Sequence, residues 1–117
     1  MTNLNINGID LELDLMDADV AEKYEKAIKE MDQKEKNKLV EGKSFAEIIR
    51  QECNIVFDFF NSVWGEGTDK KIFGSKTNYS ECEDAFKKVV EYSNQQIEKL
   101  NKKALKYSSN RASRRVK

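Results

Sequence analysis

The groups available for chemistry in this chain are carboxylates, amines and two thiols, because its 117 residues include no histidine. That removes histidine metal triads, histidine-activated nucleophiles and the usual general base at neutral pH. Asp10, Glu12, Asp14, Asp17 and Asp19 form the densest carboxylate group. Counted as a calcium loop from Asp14, they put Asp19 at the sixth position, where the sharp turn needs glycine. A solvated strand face leading into an acid-rich helix start accounts for the same residues. The stretch from Gly65 to Thr77 carries three glycines and ends Gly74-Ser75-Lys76-Thr77, which invites a phosphate-loop reading. That loop needs four residues between its glycines and a lysine straight after the second; here six separate Gly67 from Gly74, and Ser75 displaces the lysine. Cys53 and Cys82 fall in expected helices and are read as buried, reduced thiols. The residue types therefore predict no catalytic residues, no cofactor and no metal: a non-enzymatic protein.

What remains is binding. Phe57, Phe59, Phe60, Trp64 and Phe73 could stack nucleic-acid bases, but aromatics at helical spacing are first of all core, and Asp58 and Glu66 beside them repel phosphates. The other binding feature is charge. Residues 101–117 hold Lys102, Lys103, Lys106, Arg111, Arg114, Arg115 and Lys117 and no acid, whereas residues 1–100 hold 14 basic and 21 acidic side chains, a formal charge of minus seven. The net charge of zero thus conceals an acidic body and a basic end, which can attract each other within one chain or between copies, or seek a third polyanion. The basic end can bind phosphates with counterion release; the acidic body opposes a duplex, so an acidic protein surface is at least as good a target.

These features must be positioned by a helical chain. Charged residues make up 36% of it and there is no proline, a composition that favours long helices. Apolar stretches such as Ile55 to Phe57 are far below the ~20 residues needed to cross a bilayer, and no charged-then-apolar leader is seen, so neither membrane nor export is expected. Residues 3–15 alternate about Asn7-Gly8, a hairpin signal that puts Leu4, Ile6, Ile9, Leu11 and Leu13 on one face. Asp17 is expected to cap a first helix carrying Val20, Tyr24, Ala27, Ile28 and Met31 on one face; residues 32–38 are its solvated continuation or a loose connector. Ser44 and Glu47 form a capping box for a central helix. Its rows Ala46, Ile49, Cys53, Val56, Phe60, Val63 and Phe45, Ile48, Ile55, Phe59 make an apolar face wide enough for more than one neighbour. Thr68 is expected to cap a short helix ended by Gly74. Asn78 and Ser80 compete to cap the last, whose face runs Cys82, Phe86, Val89, Ser93, Ile97, Leu100 and Ala104, with a break at Tyr107-Ser108-Ser109-Asn110. The expected fold is mainly α (α+β): an N-terminal β-hairpin, three longer helices and one short one in a single domain over 1–107, then a flexible basic tail at 108–117.

The hairpin Asn5-Ile6-Asn7-Gly8-Ile9-Asp10-Leu11-Glu12-Leu13, the segments Phe57-Asp58-Phe59-Phe60, Trp64-Gly65-Glu66-Gly67-Thr68 and Ile72-Phe73-Gly74, and the ending Asn110-Arg111-Ala112-Ser113-Arg114-Arg115 resemble a family of small prophage proteins of Gram-positive bacteria. By its size, early strand pair, helical body and basic end, that family is similar to the tail assembly chaperones of long-tailed phages. The resemblance implies a protein of the bacterial host's cytoplasm that self-associates, binds the tape-measure protein and recruits tail-tube subunits, with no active site. On that reading Phe59, Phe60, Val63, Trp64 and Phe73 are the expected anchors for sister subunits or clients. Two alternatives stand beside it: a nucleic-acid-binding regulator or packaging accessory acting through the basic tail, and a connector or completion protein of the finished virion.

Overall fold

The computed structural model describes the backbone of residues 3–116 and the side chains of residues 3–103. Strands β1 (Asn3–Ile6) and β2 (Ile9–Glu12) precede helices α1 (Ala18–Asn37), α2 (Phe45–Trp64), α3 (Thr68–Phe73) and α4 (Tyr79–Val116). This is the expected mainly helical fold with its N-terminal hairpin.

The two strands are antiparallel, with Leu4 opposite Leu11 and Ile6 opposite Ile9. Asn7 and Gly8 both have positive φ, 52° and 82°, the tight turn whose twist suits a two-residue hairpin. Asn5 reinforces it twice: its amide donates to Asp10 Oδ1 across the strands at 2.8 Å, and its carbonyl oxygen accepts from Gly8 N–H at 3.1 Å. Asn7 donates from Nδ2 to the Ile72 carbonyl at 3.1 Å, fastening the turn to α3. Leu4, Ile6, Leu11 and Leu13 are buried beneath the hairpin, and Ile9 packs against them half-buried. A lone hairpin is marginal in water; this one is held by its apolar face.

Each helix start has a local cause. Asp17 accepts from the N–H groups of Asp19 and Val20 at the head of α1. Ser44 and Glu47 form the reciprocal capping box of α2, which keeps the Glu47 carboxyl below its usual range through the Ser44 N–H. Asn78, not Ser80, caps α4: its side chain accepts from Glu81 N–H at 3.1 Å and its carbonyl from Cys82 N–H at 3.0 Å. Thr68 does not cap α3. Gly67 holds the cap position at φ 91°, a left-handed geometry that threonine disfavours, and Thr68 turns its hydroxyl to donate to the Gly65 carbonyl at 2.6 Å. Residues 32–37 continue α1 as helix, and the helical backbone of α4 passes through 107–110, where a break was expected. Without proline there, no backbone N–H is lost to force one.

Helix α2 is the axis of the body and packs against α1, α3 and α4. Phe59 shows why. Its ring meets Tyr24 of α1 at 6.0 Å, Phe60 and Trp64 of α2 at 5.6 and 6.4 Å, and Phe86 of α4 at 5.1 Å, all edge to face. Such pairs add ~0.5–1.5 kcal/mol each beyond area burial. Helix α4 buries Cys82, Ala85, Val89, Ser93 and Gln96, a three-and-four stripe that stops there; residues 97–103 are all exposed.

Two buried polar links orient α4. Tyr24 Oη donates to Ser93 Oγ at 2.9 Å, and the Ser93 hydroxyl in turn donates to the Val90 carbonyl at 2.8 Å. Gln96 grips the chain leaving the hairpin: Nε2 donates to the Leu13 carbonyl at 2.6 Å and Oε1 accepts from Leu15 N–H at 2.8 Å. Gln96→Leu would leave both backbone groups unpaired at about 1–3 kcal/mol apiece. Urea unfolding of that variant should show a loss of about 3 kcal/mol; a loss below about 1 kcal/mol would mean the clamp contributes little.

Candidate protein-binding surface

The aromatic anchors expected from the sequence are used inside the chain. Phe59, Phe60, Val63 and Phe73 are buried, with Phe60 stacked on Trp64 at 5.5 Å and edge-on to Phe73 at 5.7 Å. Trp64 is half-buried, and its indole N–H donates to the Glu12 carbonyl of β2 at 2.7 Å. The five residues come together as one cluster joining α2, α3 and the hairpin. In this conformation they stabilise the body. Replacing Phe60 by alanine would cost about 3–5 kcal/mol of a total that is ~5–15 kcal/mol for a domain, so lost binding in that variant would report unfolding.

Three exposed apolar side chains stand at the opposite end of α2, while Met16, Tyr79, Ile97 and Leu100 are exposed elsewhere. Phe45, the first residue of that helix, is 79% exposed, and Leu39 and Val40 in the preceding connection are 71% and 50% exposed. A turn closed by Lys43 N–H on the Val40 carbonyl at 3.2 Å folds this connection back toward Ser44. One aromatic and two aliphatic side chains within seven residues are thus held in water by a capped helix start. The sequence placed Phe45 in the second row of the central helix's apolar face. Its rank in that row was legible, but its position directly after the cap was the better signal, since the first turn of a helix can overhang its neighbours. Ala46 is exposed too, and Ile48 and Ile49 are half-buried, so the apolar face of α2 is fully buried only from Cys53 onward.

Beside this end runs a groove of about 1260 Å³ between α1, α2 and the start of α4. Ile28, Met31, Val56 and Phe86 give it apolar walls, and Glu22, Glu25, Asp32, Glu35, Glu52 and Glu83 set six carboxylates against the ammonium groups of Lys26, Lys29 and Lys38. Lys38, at the C-cap of α1, joins Glu35 at 2.7 Å to Glu52 of α2. These two hydrogen bonds hold its ammonium group above the usual lysine range. Tyr79 Oη donates to Glu83 at 3.1 Å, which pushes the phenol up. This polar frame was missed from the sequence, where residues 32–38 carried charge without any visible partner; Glu52 is 14 residues from Lys38.

The acidic run near the N-terminus is dispersed into local tasks: Asp10 bonds Asn5, Asp14 accepts from Met16 N–H, and Asp17 caps α1. Of the basic tail, Lys102 and Lys103 are exposed on α4, Lys102 lying 3.9 Å from Glu98. The side chains of Lys106, Arg111, Arg114, Arg115 and Lys117, and with them the reading of 108–117 as a flexible tail, lie outside the described residues. Among the described residues, no helix is long and apolar enough to cross a membrane.

A family model described as a family of unknown function, DUF6673, matches residues 7–117, and the chain belongs to that family. No curated protein and no solved structure matches it.

The two thiols are buried, Cys53 on α2 facing Cys82 on α4. Burial and the neighbouring Cys53 push the Cys82 thiol up to about 12, which keeps it in the unreactive thiol form at pH 8. A thiol-specific reagent at pH 8 should therefore find the folded chain unreactive over minutes and titrate two thiols in denaturant. Rapid reaction of the folded chain would show that α2 and α4 separate readily.

Proposed function

We propose that this member of the DUF6673 family is a non-enzymatic phage or prophage morphogenesis protein, similar to tail assembly chaperones, that works by reversible protein binding in the host cytoplasm. Its clients on this reading are the tape-measure protein and tail-tube subunits. The observation that carries the binding reading is the exposed apolar end formed by Leu39, Val40 and Phe45. Large apolar side chains held exposed close together in the chain are a mark of a protein-binding surface, and Phe45 offers a rigid aromatic that can enter a partner's pocket at low entropic cost. The phage assignment is supported by the hairpin, Phe57–Phe60, Trp64–Thr68 and Asn110–Arg115 segments that resemble the prophage family.

On this reading the aromatic cluster around Phe59 and Phe60 fixes the direction in which α2 presents its first turn, while the first turn makes the contact. The client is held by apolar burial, which releases it when the tail tube offers a better surface. Co-expression with the tape-measure protein of a long-tailed phage tests the proposal. The client should stay soluble and be captured with the native chain. The triple substitution Leu39→Ser, Val40→Ser and Phe45→Ser should cut capture at least tenfold with little change in thermal midpoint, since all three side chains are exposed. No capture by the native chain, or equal capture by the substituted one, would refute it.

A further inference from the structure

We infer that the acidic groove between α1, α2 and the start of α4 receives the basic end of α4 from a second copy of this chain. Three observations bear on the fit. The first is charge: the groove carries six carboxylates against three lysine ammonium groups, and residues 101–117 carry seven basic side chains and no acid. Fields of opposite sign guide such surfaces together and fix their register.

The second is shape and polarity. Beyond Gln96 the helix leaves the body, and its first exposed turn bears Ile97 and Leu100, 45% and 50% exposed and three residues apart on one face. The groove answers with Ile28, Met31 and Phe86, each half-buried. Its α1 wall, from Glu22 to Lys38, is about 24 Å long at the helical rise of ~1.5 Å per residue, and residues 97–116 make a helix of about 30 Å. An amphipathic helix laid in an apolar groove is a recurrent recognition mode.

The third is reach. Phe86 and Arg111 lie on one continuous helix, about 37 Å apart at that rise. A chain with α4 unbroken cannot place its basic end in its own groove, so the occupant comes from another copy. Each copy offers one groove and one basic end, so two chains can exchange them reciprocally and close as a symmetric dimer.

This contact is independent of the client reading, because it is measured on the purified full chain alone. Analytical ultracentrifugation should show self-association that weakens as salt rises from about 0.01 M to 1 M. Reversing the groove (Glu25→Lys with Glu83→Lys) or the basic end (Arg111→Glu, Arg114→Glu and Arg115→Glu) should weaken it at least tenfold while circular dichroism stays native. Mixing the two reversed chains should restore a one-to-one complex, which general unfolding or general charge effects would not do. A chain that is monomeric at every concentration in low salt, as when its own end folds back or captures nucleic acid instead, overturns the inference. So does association that neither reversal changes, or a mixture that fails to recover.

Discussion

The fold depends on a single buried amide. Gln96 satisfies both a carbonyl and an N–H of the segment that leaves the hairpin, at 2.6 and 2.8 Å, and buried backbone groups left without such partners are costly. The hairpin has only one partner strand for each of its strands, so it supplies little stability of its own. Its face is kept on the helices by Leu4, Ile6, Leu11 and Leu13, and its direction of exit is kept by Gln96. Because Gln96 is also the last buried residue of α4 among those described, the same contact sets where the body ends and where the unaccompanied length of that helix begins.

Helix α2 divides its labour along its length. From Cys53 to Trp64 its apolar face is covered on three sides: Phe59 touches rings on α1 and α4, and Phe60 touches Phe73 of α3. From Phe45 to Arg50 its side chains are exposed or half-buried. The capping box at Ser44 and Glu47 makes that arrangement stable, since the first turn is closed by its own hydrogen bonds rather than by packing. A helix start secured locally can stand free of the core and still hold an aromatic in a fixed place.

Local signals in the sequence were read correctly where they were self-contained. Asn7-Gly8 gave the turn and register of the hairpin, Asp17 and the Ser44-Glu47 pair gave two helix starts, and the spacing of Cys53, Val56, Phe60 and Val63 gave the buried face of α2. Thr68 misled because threonine is a good cap in isolation, whereas the turn needed a left-handed residue and glycine was adjacent. What stayed hidden was relational. A glutamine at position 96 resembles any solvated helix residue until the segment 81 and 83 positions earlier is laid against it. The groove is equally illegible, since Glu25, Glu52 and Glu83 come from three helices. The aromatic cluster was legible as an apolar face, but period does not show whether the chain itself or another molecule covers it; the fold buries Phe59, Phe60, Val63 and Phe73 within the chain.

The distance along the chain between the hairpin and its clamp has a kinetic meaning. Leu13 and Leu15 are made long before Gln96, and contacts of such separation are reached late because the intervening loop must first be closed. During synthesis the hairpin face is therefore an uncovered apolar surface for as long as α1, α2 and α3 take to emerge, and the body can shut only when α4 has been added. The order of synthesis and the order of closure run in opposite directions, so a ribosome-bound chain would display Leu4, Ile6 and Leu11 to whatever protects nascent proteins from aggregation.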